Sequence, residues 1–205
     1  MNQNHSIRPY HPVDLADYYA ICRKTGYKGT DASAFFDDPL LLGHVYVGPY
    51  VQREPEYALS AEMNGKVIGY VLGTPDSRDF DRYFRKEWIP FLQKRYPRTA
   101  KYQPAQQELL SHAVWSQGGD VPGFSSQYPA HLHVDILPAG QGMGLGRKLM
   151  EGFMEILNSK GIEGLHFGVD PENAGALMFY RKLGFEQIAA YPGVIYFGRR
   201  IYIKK

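Results

Sequence analysis

The chain has 205 residues, enough for one domain with a substantial core, and it carries 23 Lys and Arg against 21 Asp and Glu. This near balance of charge gives no reason to expect nucleic acid as a partner. The single cysteine excludes an internal disulfide and suits a reducing compartment. No apolar N-terminal signal is present, and no run approaches the ~20 apolar residues of a membrane span, so the sequence predicts a soluble cytoplasmic protein that does not enter a membrane.

The first part of the chain is predicted to contain strands over 6–9, 57–63 and 66–73, the last two joined by the hairpin turn Asn64-Gly65. A helix is predicted over 13–25, in which Cys22 is expected to be a packed thiol. Its apolar positions include Val13, Ala16, Ala20 and Ile21. A second helix is predicted to begin at Asp37-Asp38-Pro39 and to run to about residue 52, with a break or kink at Gly48-Pro49.

An insertion of about residues 76–130 is predicted before the next strand, 131–137. The spacing of apolar residues predicts helices over 78–95 and 106–115, and the Gly, Pro and Ser content of 116–129 predicts a loop. These helices can be ordinary core, with Trp88 and Trp115 as part of it, or they can form a wall or lid over a neighbouring cleft. Both alternatives stay open at this level, and both can hold together.

The last part of the chain is predicted to continue with a helix over 144–160, a strand over 164–169, a helix from Asn173 and strands over 185–191 and 194–203. The first of these helices is amphipathic, and its apolar face is formed by Leu145, Leu149, Phe153 and Ile156. The final two strands are predicted to be antiparallel around Pro192-Gly193.

The turn between the strand 131–137 and the helix 144–160 is rich in glycine: Gln141-Gly142-Met143-Gly144-Leu145-Gly146. It presents several backbone N–H groups at the positive end of a helix, which predicts a site for an anion, above all a pyrophosphate. A Walker loop does not fit, because Arg147 or Leu145 occupies the place of its second Gly. A dinucleotide-binding turn does not fit either, because its last Gly falls on Arg147 or Leu149. A tight turn without a ligand is the alternative.

A third pattern, Arg/Gln-x-x-Gly-x-Gly/Ala, does fit, and it is the coenzyme A loop of the GCN5-related N-acetyltransferase (GNAT) superfamily. A second signature of that superfamily, Asn-x-x-Ala-x-x-x-Tyr-x-x-x-Gly-Phe, is matched by Asn173, Ala176, Tyr180, Gly184 and Phe185. The chain therefore resembles this superfamily. The resemblance implies an α/β (α+β) fold, with a mixed, mostly antiparallel sheet of six to seven strands that splays between strands 4 and 5 and is flanked by helices, built by residues 1–205 as a single domain.

Three further segments, 69–74, 87–96 and 194–199, resemble the acetyltransferase-like C-terminal domain of O-GlcNAcases. The chain has no room for a glycosidase domain, so sugar hydrolysis is not implied. The eukaryotic domains are degenerate at the coenzyme A loop and are regarded as pseudo-acetyltransferases, whereas residues 141–146 of this chain are intact. We therefore interpret the chain as a free-standing, bacterial-type relative that can bind the cofactor.

The resemblance implies acetyl-CoA as cofactor and an amine as acceptor, in a monomer or homodimer with no metal. It implies cofactor contacts for Ile136, Leu137, Gln141, Gly142, Met143, Gly144, Leu145, Gly146, Arg147, Asn173, Ala176, Phe179 and Tyr180. Backbone groups of Ile136 and Leu137 would pair with the pantetheine arm. Asn173 would hydrogen-bond that arm, with a helix cap as the alternative. Tyr180 would protonate the departing thiolate, with a packed core tyrosine as the alternative.

The catalytic base is predicted on the strand 131–137, where His131, His133 and Asp135 alternate and so share one face. In the superfamily this strand borders the acceptor cleft. Histidine titrates near neutrality, and Asp135 could orient a water or bind a cationic amine. We favour Asp135, slightly ahead of His133, as the catalytic group beside Tyr180. A polar ladder that only holds the sheet together, or a water chain without a single base, are the alternatives.

Two functions from different classes remain open. The first is an active N-acetyltransferase that uses acetyl-CoA, which the intact loop and Tyr180 favour. The second is a non-catalytic acyl-CoA-binding or interaction module. Transfer of a longer acyl chain is a third idea. The acceptor amine is not specified by the sequence, although Tyr46, Tyr50 and Trp88 could pack against it.

Overall fold

The computed structural model describes residues 4–116 and 121–201, and its centre is a seven-stranded sheet. The strands are β1 (His5–Pro9), β2 (Ala58–Met63), β3 (Lys66–Thr74), β4 (Ala130–Ile136), β5 (Gly164–Val169), β6 (Glu186–Tyr191) and β7 (Val194–Arg200). They lie in the order β1-β2-β3-β4-β5-β7-β6, and all neighbours are antiparallel except the parallel pair β4 and β5. The predicted mixed, mostly antiparallel sheet is confirmed.

Helices flank the sheet on both faces. They are α1 (Leu15–Thr25), α2 (Leu41–Tyr46), α3 (Gly48–Arg53), α4 (Ser77–Tyr83), α5 (Ile89–Arg95), α6 (Pro104–Leu110), α7 (Leu145–Ser159) and α8 (Ala174–Lys182). A π-helical turn (Phe84–Trp88) joins α4 to α5, and a second one (Ser111–Trp115) follows α6, so both helices predicted in the insertion are present. In the predicted loop 116–129, a short 3-10 turn forms at Gly123–Ser126, and residues 117–120 lie outside the described residues. No helix in the described part of the chain has the length and apolar character needed to cross a membrane.

The splay of the sheet lies between β4 and β5. These strands pair only at Ala130 with Leu165 and at His131 with His166. Beyond His131 the two strands have no paired residues, so their C-terminal halves leave a cleft between them. On the other side β4 stays paired with β3 along its length, from Thr74–His131 to Gly69–Ile136. The cleft therefore has one continuous strand as a wall.

Two hydrophobic cores pack on opposite faces of the sheet. On one face α7 buries Leu145, Leu149, Phe153 and Leu157 completely. On the other face α1, α2, α3 and the insertion bury Tyr18, Tyr70, Leu92 and Leu110. The sheet between them has no room for a side chain at Gly73, where a Cβ would lie 2.2 Å from the carbonyl oxygen of His131 and 2.7 Å from the Phe153 ring.

The buried face of α1 differs from the predicted one. Of the four apolar positions predicted for the helix 13–25, Val13, Ala16 and Ala20 are exposed, and the helix begins at Leu15 after a 3-10 turn. Tyr18, Cys22 and Thr25 are buried instead, together with the expected Ile21. Hydrogen-bond partners for the polar ends of these side chains explain this burial: the Tyr18 hydroxyl bonds Ser60 Oγ at 3.0 Å, and Thr25 Oγ1 lies 2.9 Å from the carbonyl oxygen of Ile21.

The predicted helix 37–52 also differs at its start. It begins at Leu41, because Asp38 Oδ1 accepts the N–H of Leu40 at 2.8 Å and so makes a turn before the first helical residue. The helix then divides at Val47 into α2 and α3, as Gly48-Pro49 predicted. The strand predicted over 194–203 ends at Arg200, and residues 202 and 203 lie outside the described residues.

Candidate active site

The glycine-rich turn forms an open cradle of backbone donors at the start of α7. Gly142 and Gly144 have φ angles of +74° and +77°, and a Cβ on either would meet no atom within 4 Å. None of the backbone N–H groups of residues 142–147 has an acceptor among the described residues. Unpaired N–H groups at the positive end of a 15-residue helix attract an anion. These observations fit a pyrophosphate.

The cradle opens into a cavity of about 560 Å³, called here the loop-side cavity. Its lining combines the cations Arg147, Lys182 and Lys28 with the apolar side chains of Ile136 and Phe179. A ligand that is anionic at one end and apolar along its length matches this lining. Gly146, Gln141 and Ala176, also named from the sequence, line the same cavity.

The hydrogen-bond pattern between β4 and β3 determines which backbone groups of β4 face the cleft. The N–H of Leu137 donates to Ile68 O at 2.9 Å, and the carbonyl of Leu137 accepts from Gly140 at 2.9 Å, so both groups are engaged inside the protein. Because ladder bonds alternate along a strand, Val134 and Ile136 direct their N–H and carbonyl groups to the unpaired edge. The carbonyl of Ile136 accepts from Gln141 Nε2 at 3.0 Å, which ties the turn to the strand.

Two of the cofactor-binding residues predicted from the sequence, Met143 and Leu145, can contact a ligand in the loop-side cavity only through backbone groups. The Leu145 side chain is completely buried in the α7 core, and neither Leu145 nor Met143 lines the loop-side cavity. The structure therefore brings Ile136, the glycines, Arg147 and Phe179 together around the cavity, and it leaves the side chains of Leu137, Met143 and Leu145 outside it.

Tyr180 lies on α8 between the loop-side cavity and a central cavity of about 340 Å³, and it lines both. Its ring packs against Phe167 and Phe179, with ring centroids 4.3 and 5.1 Å away. Its hydroxyl makes no hydrogen bond within residues 4–116 and 121–201. Burial, reinforced by the charge of Asp135, raises the pKa of Tyr180 well above its usual range, so the phenol keeps its proton at neutral pH.

Asn173 caps α8 and also lines the cleft. Its Oδ1 accepts the N–H of Ala176 at 3.0 Å, so the cap expected as one alternative is present. Its amide nitrogen faces Gly29, where a Cβ would lie 3.1 Å from Nδ2. Gly29 and Lys28 form a turn with φ angles of +86° and +52°, and Lys28 Nζ forms an ion pair with Glu172. This turn therefore crosses the cleft between α1 and α8.

Asp135 is part of a buried network beside the central cavity. The Tyr70 hydroxyl donates to Asp135 Oδ2 at 2.7 Å, and Thr25 Oγ1 lies 2.8 Å from Oδ1. Burial raises the pKa of Asp135, and the hydrogen bonds from Tyr70 and Thr25 only partly oppose this effect. Both carboxyl oxygens thus have partners inside the protein.

His131 and His133 lie on the same face of β4 and are both held neutral. Burial is the main cause in each: it lowers the pKa of His131 well below its usual range and that of His133 to about 4. For His131 the neighbouring imidazoles of His166 and His133 add to the effect. His133 lines both the central cavity and the cavity beyond it.

A chain of hydrogen bonds fixes which nitrogen of each imidazole carries the proton. Ser77 Oγ lies 2.7 Å from Pro129 O and 2.7 Å from His131 Nδ1. A carbonyl oxygen only accepts, so Ser77 donates to Pro129, and His131 Nδ1 must donate to Ser77. His131 Nε2 then accepts from the Tyr50 hydroxyl at 2.8 Å, and the Tyr50 oxygen accepts from His133 Nε2 at 3.1 Å. His133 Nδ1 is left with a lone pair.

Beyond His133 lies a cavity of about 920 Å³, called here the insertion-side cavity. The insertion supplies part of its wall through Phe80, Phe84 and the second π-helical turn. Tyr46 and Tyr50 line it as the sequence suggested, whereas Trp88 does not and instead donates its indole N–H to His44 O at 2.8 Å. The insertion is thus both core and wall.

The sequence did not predict that four residues would contact the β4 row: Thr25, Tyr50, Tyr70 and Ser77. Each contacts the β4 row across a long separation, such as 81 residues between Tyr50 and His131, so no local pattern marks them. The described residues contain no group of three or more His, Cys, Asp or Glu side chains placed to hold a metal ion.

Known sequences similar to this chain include acetyltransferases. The profile of the Acetyltransferase (GNAT) family matches residues 27–185. Protein O-GlcNAcase of Rattus norvegicus is 28% identical over 203 residues, which are 96% of this chain and 22% of that protein, so the chain spans about a fifth of that relative. L-methionine sulfoximine/L-methionine sulfone acetyltransferase of Salmonella typhimurium is 31% identical over 115 residues, 50% of this chain and 66% of that protein.

Solved structures agree with the fold. The crystal structure of SsHAT is 35% identical and has a TM-score of 0.90, covering 97% of this chain and 99% of its own. The yncA structure from Salmonella typhimurium, solved with acetyl-CoA, is 17% identical with a TM-score of 0.56, covers 97% of this chain and 94% of its own, and shows the fold alone.

Proposed function

Because this chain belongs to the acetyltransferase (GNAT) family, whose members use acetyl-CoA, we propose that it is an N-acetyltransferase that transfers an acetyl group to a primary amine by direct attack in a ternary complex. The observation that carries the proposal is the continuous cleft, in which the N–H cradle, the Tyr180 hydroxyl and the neutral His133 follow one another. In this proposal residues 1–205 work as one domain, as a monomer or homodimer.

The loop-side cavity is the proposed cofactor site. The N–H groups of residues 142–147 hold the pyrophosphate, and Arg147 adds a positive side chain beside them. The unpaired edge of β4 at Val134 and Ile136 hydrogen-bonds the pantetheine arm as an added strand would, and Asn173 Nδ2 approaches it from α8. Bound there, acetyl-CoA supplies a thioester whose carbonyl carbon an amine can attack.

Tyr180 is the proposed acid. Its hydroxyl has no hydrogen-bond partner in the described protein, and Tyr180 lines both the loop-side and the central cavity, so it is available to a departing sulfur. Its raised pKa keeps it protonated until the sulfur leaves. Tyr180 Oη gives its proton to that sulfur as the carbon–sulfur bond breaks.

His133 is the proposed base. Its Nδ1 lone pair takes the proton that the amine nitrogen loses as the carbon–nitrogen bond forms, directly or through a water. Tyr50, His131 and Ser77 hold this tautomer as positioning residues. Asp135 has both oxygens engaged with Tyr70 and Thr25, and its proposed role is to support the site beneath Tyr180.

Acetyl-CoA binding and turnover test the proposal in two steps. Calorimetric titration is expected to show saturable one-to-one binding that Gly144→Glu abolishes, because a carboxylate then occupies the anion cradle. Gly193→Glu is the matched control, since Gly193 also has a positive φ, +82°, and open space around its Cβ. If wild type shows no saturable binding, the cofactor assignment is wrong.

Turnover is then measured on a panel of amines by detection of free thiol. Tyr180→Phe is expected to bind acetyl-CoA as wild type does and to lose about a hundredfold or more in kcat. Binding without acetylation of any amine, with Tyr180→Phe indistinguishable from wild type, would instead identify a non-catalytic acetyl-CoA-binding module.

A further inference from the structure

The insertion-side cavity points to the class of acceptor. We propose that the acceptor is a primary amine with no carboxylate beside its amino group, borne on an aromatic or similarly flat apolar body. This inference rests on the proposed function, because it describes what occupies the far end of the same cleft.

The walls of the cavity match a flat apolar body. Six phenyl or phenol rings line it, those of Tyr46, Tyr50, Phe80, Phe84, Phe167 and Tyr196. The rings of Tyr50 and Phe80 stack at 4.1 Å, which gives one wall a rigid aromatic surface. A flat apolar group buries its area against such surfaces with little loss of side-chain freedom. The volume, about 920 Å³, leaves room for a body considerably larger than a short aliphatic amine.

The charges of the cavity favour a cation and disfavour an anion. No Lys or Arg lines it in the described structure. Burial keeps His131 and His133 neutral. The carboxylates at the wall are Asp81, which is paired with Arg85 at 2.7 Å, and Asp170.

Asp170 is the group placed to meet an ammonium ion. It lines both the insertion-side and the central cavity, as His133 does. Its Oδ1 accepts the N–H of Glu172 at 2.8 Å, and its Oδ2 has no partner within the described residues. An ammonium beside this carboxylate gains a charge-assisted hydrogen bond. It loses one proton to solvent water before it attacks, and His133 takes the second proton as the carbon–nitrogen bond forms.

Lys28 is the cation of the adjoining central cavity. Lys28 lines the central and loop-side cavities but not the insertion-side cavity. It forms an ion pair with Glu172, and its pKa is raised by that pair and by Asp170. A carboxylate next to the acceptor nitrogen would therefore face Asp170, while Lys28, the cation that lines the central cavity in the described structure, is paired with Glu172. A buried anion without a counter-charge is strongly disfavoured, so α-amino acids are rejected.

Matched pairs of acceptors test this inference, because tryptamine and tryptophan, or phenethylamine and phenylalanine, differ only in the carboxylate. Their affinities are measured by calorimetry with and without saturating coenzyme A, which needs no turnover and so separates this result from the acetyl-transfer test. We expect each amine to bind at least about tenfold more tightly than its amino acid. Equal or weaker binding of the amines, or no binding of either member of a pair, would overturn the proposal.

The charge of Asp170 is tested with a substitution that keeps its backbone contact. Asp170→Asn retains Oδ1 for the Glu172 N–H but removes the negative charge, and it is expected to weaken amine binding about tenfold. Asp31→Asn is the matched control, because Asp31 Oδ1 accepts the Ser33 N–H in the same way, at 2.8 Å, and lines none of the three cavities. Unchanged amine affinity in Asp170→Asn would refute the assigned role of Asp170.

Discussion

The neutral state of His133 makes a quantitative prediction about stability at low pH. Burial lowers its pKa from 6.5 to about 4, so between these values the unfolded chain binds a proton that the folded chain does not. The free energy of unfolding must therefore fall as the pH falls through this window. Between about pH 7.5 and about pH 4.5, the two pKa values give a loss of about 2.5 kcal/mol from His133 alone.

The perturbation is His133→Gln, which removes the titrating group and keeps an N–H donor for the Tyr50 oxygen. Urea unfolding gives the free energy of unfolding of wild type and variant at the two pH values. The loss of this free energy on acidification is then compared between the two proteins. The variant is expected to lose about 2.5 kcal/mol less than wild type on acidification. His131 and His166, whose pKa values are also lowered, act in the same direction in both proteins, and Asp135, whose pKa is raised, acts in the opposite direction.

Because these other groups are common to both proteins, they cancel in the comparison, apart from the smaller part of the His131 shift that His133 itself causes. The same acid sensitivity in His133→Gln and wild type would show that His133 is protonated in the folded state at mildly acidic pH. The proposed base would then be wrong as well.

Three further predictions concern the surroundings of the site. Nitrogen-15 NMR of labelled histidines is expected to find His131 protonated at Nδ1 and His133 at Nε2, with Ser77→Ala giving mixed tautomers; the opposite tautomers in wild type would contradict the hydrogen-bond chain. Gly73→Ala is expected to destabilise by about 3 kcal/mol or more in urea, because its Cβ meets a carbonyl oxygen, whereas Gly123→Ala, with open space, should stay within about 0.5 kcal/mol of wild type. Tyr70→Phe, which leaves an oxygen of the buried Asp135 carboxyl without its donor, is expected to cost about 1–3 kcal/mol in the same assay, and no cost would mean that the bond is not formed.

The order of elements was predictable because its signals are local. The hairpin at Asn64-Gly65 forms with positive φ at both residues, as that pair of residues predicts. The glycine-rich turn leads into α7, whose apolar repeat predicts its buried face. A few neighbouring residues determine each of these features. Tertiary contacts therefore stabilise them but do not determine whether they form.

The buried face of α1 was not predictable in the same way. Hydropathy marked Val13, Ala16 and Ala20, yet the exposed fraction of Val13 is 75%. Tyr18 and Thr25 are buried because hydrogen-bond partners for their hydroxyls are present in the folded chain, and the Ser60 that bonds Tyr18 is 42 residues away. Amphipathic side chains can occupy either face, and the distant partner decides between them.

In the candidate site, too, contacts with residues distant in sequence could not be predicted from a local pattern. Alternation placed His131, His133 and Asp135 on one face of a strand, and the structure places them there. The alternation could not say which of them has free lone pairs, because that depends on Tyr50, Ser77, Tyr70 and Thr25 from other elements. The preference between Asp135 and His133 therefore changes only when the hydrogen-bond partners of each are known.

The gap between β4 and β5 has a consequence for the integrity of the sheet itself. Only two residue pairs join its halves directly, and beyond them the edge of β4 is paired with no other strand in the described structure. If the pantetheine arm lies there as proposed, acetyl-CoA takes the place of a strand and forms the hydrogen bonds that the edge of β4 otherwise lacks. The sheet then has the fewest hydrogen bonds when no cofactor is bound. Each release of coenzyme A must break the hydrogen bonds that extend the sheet from β4.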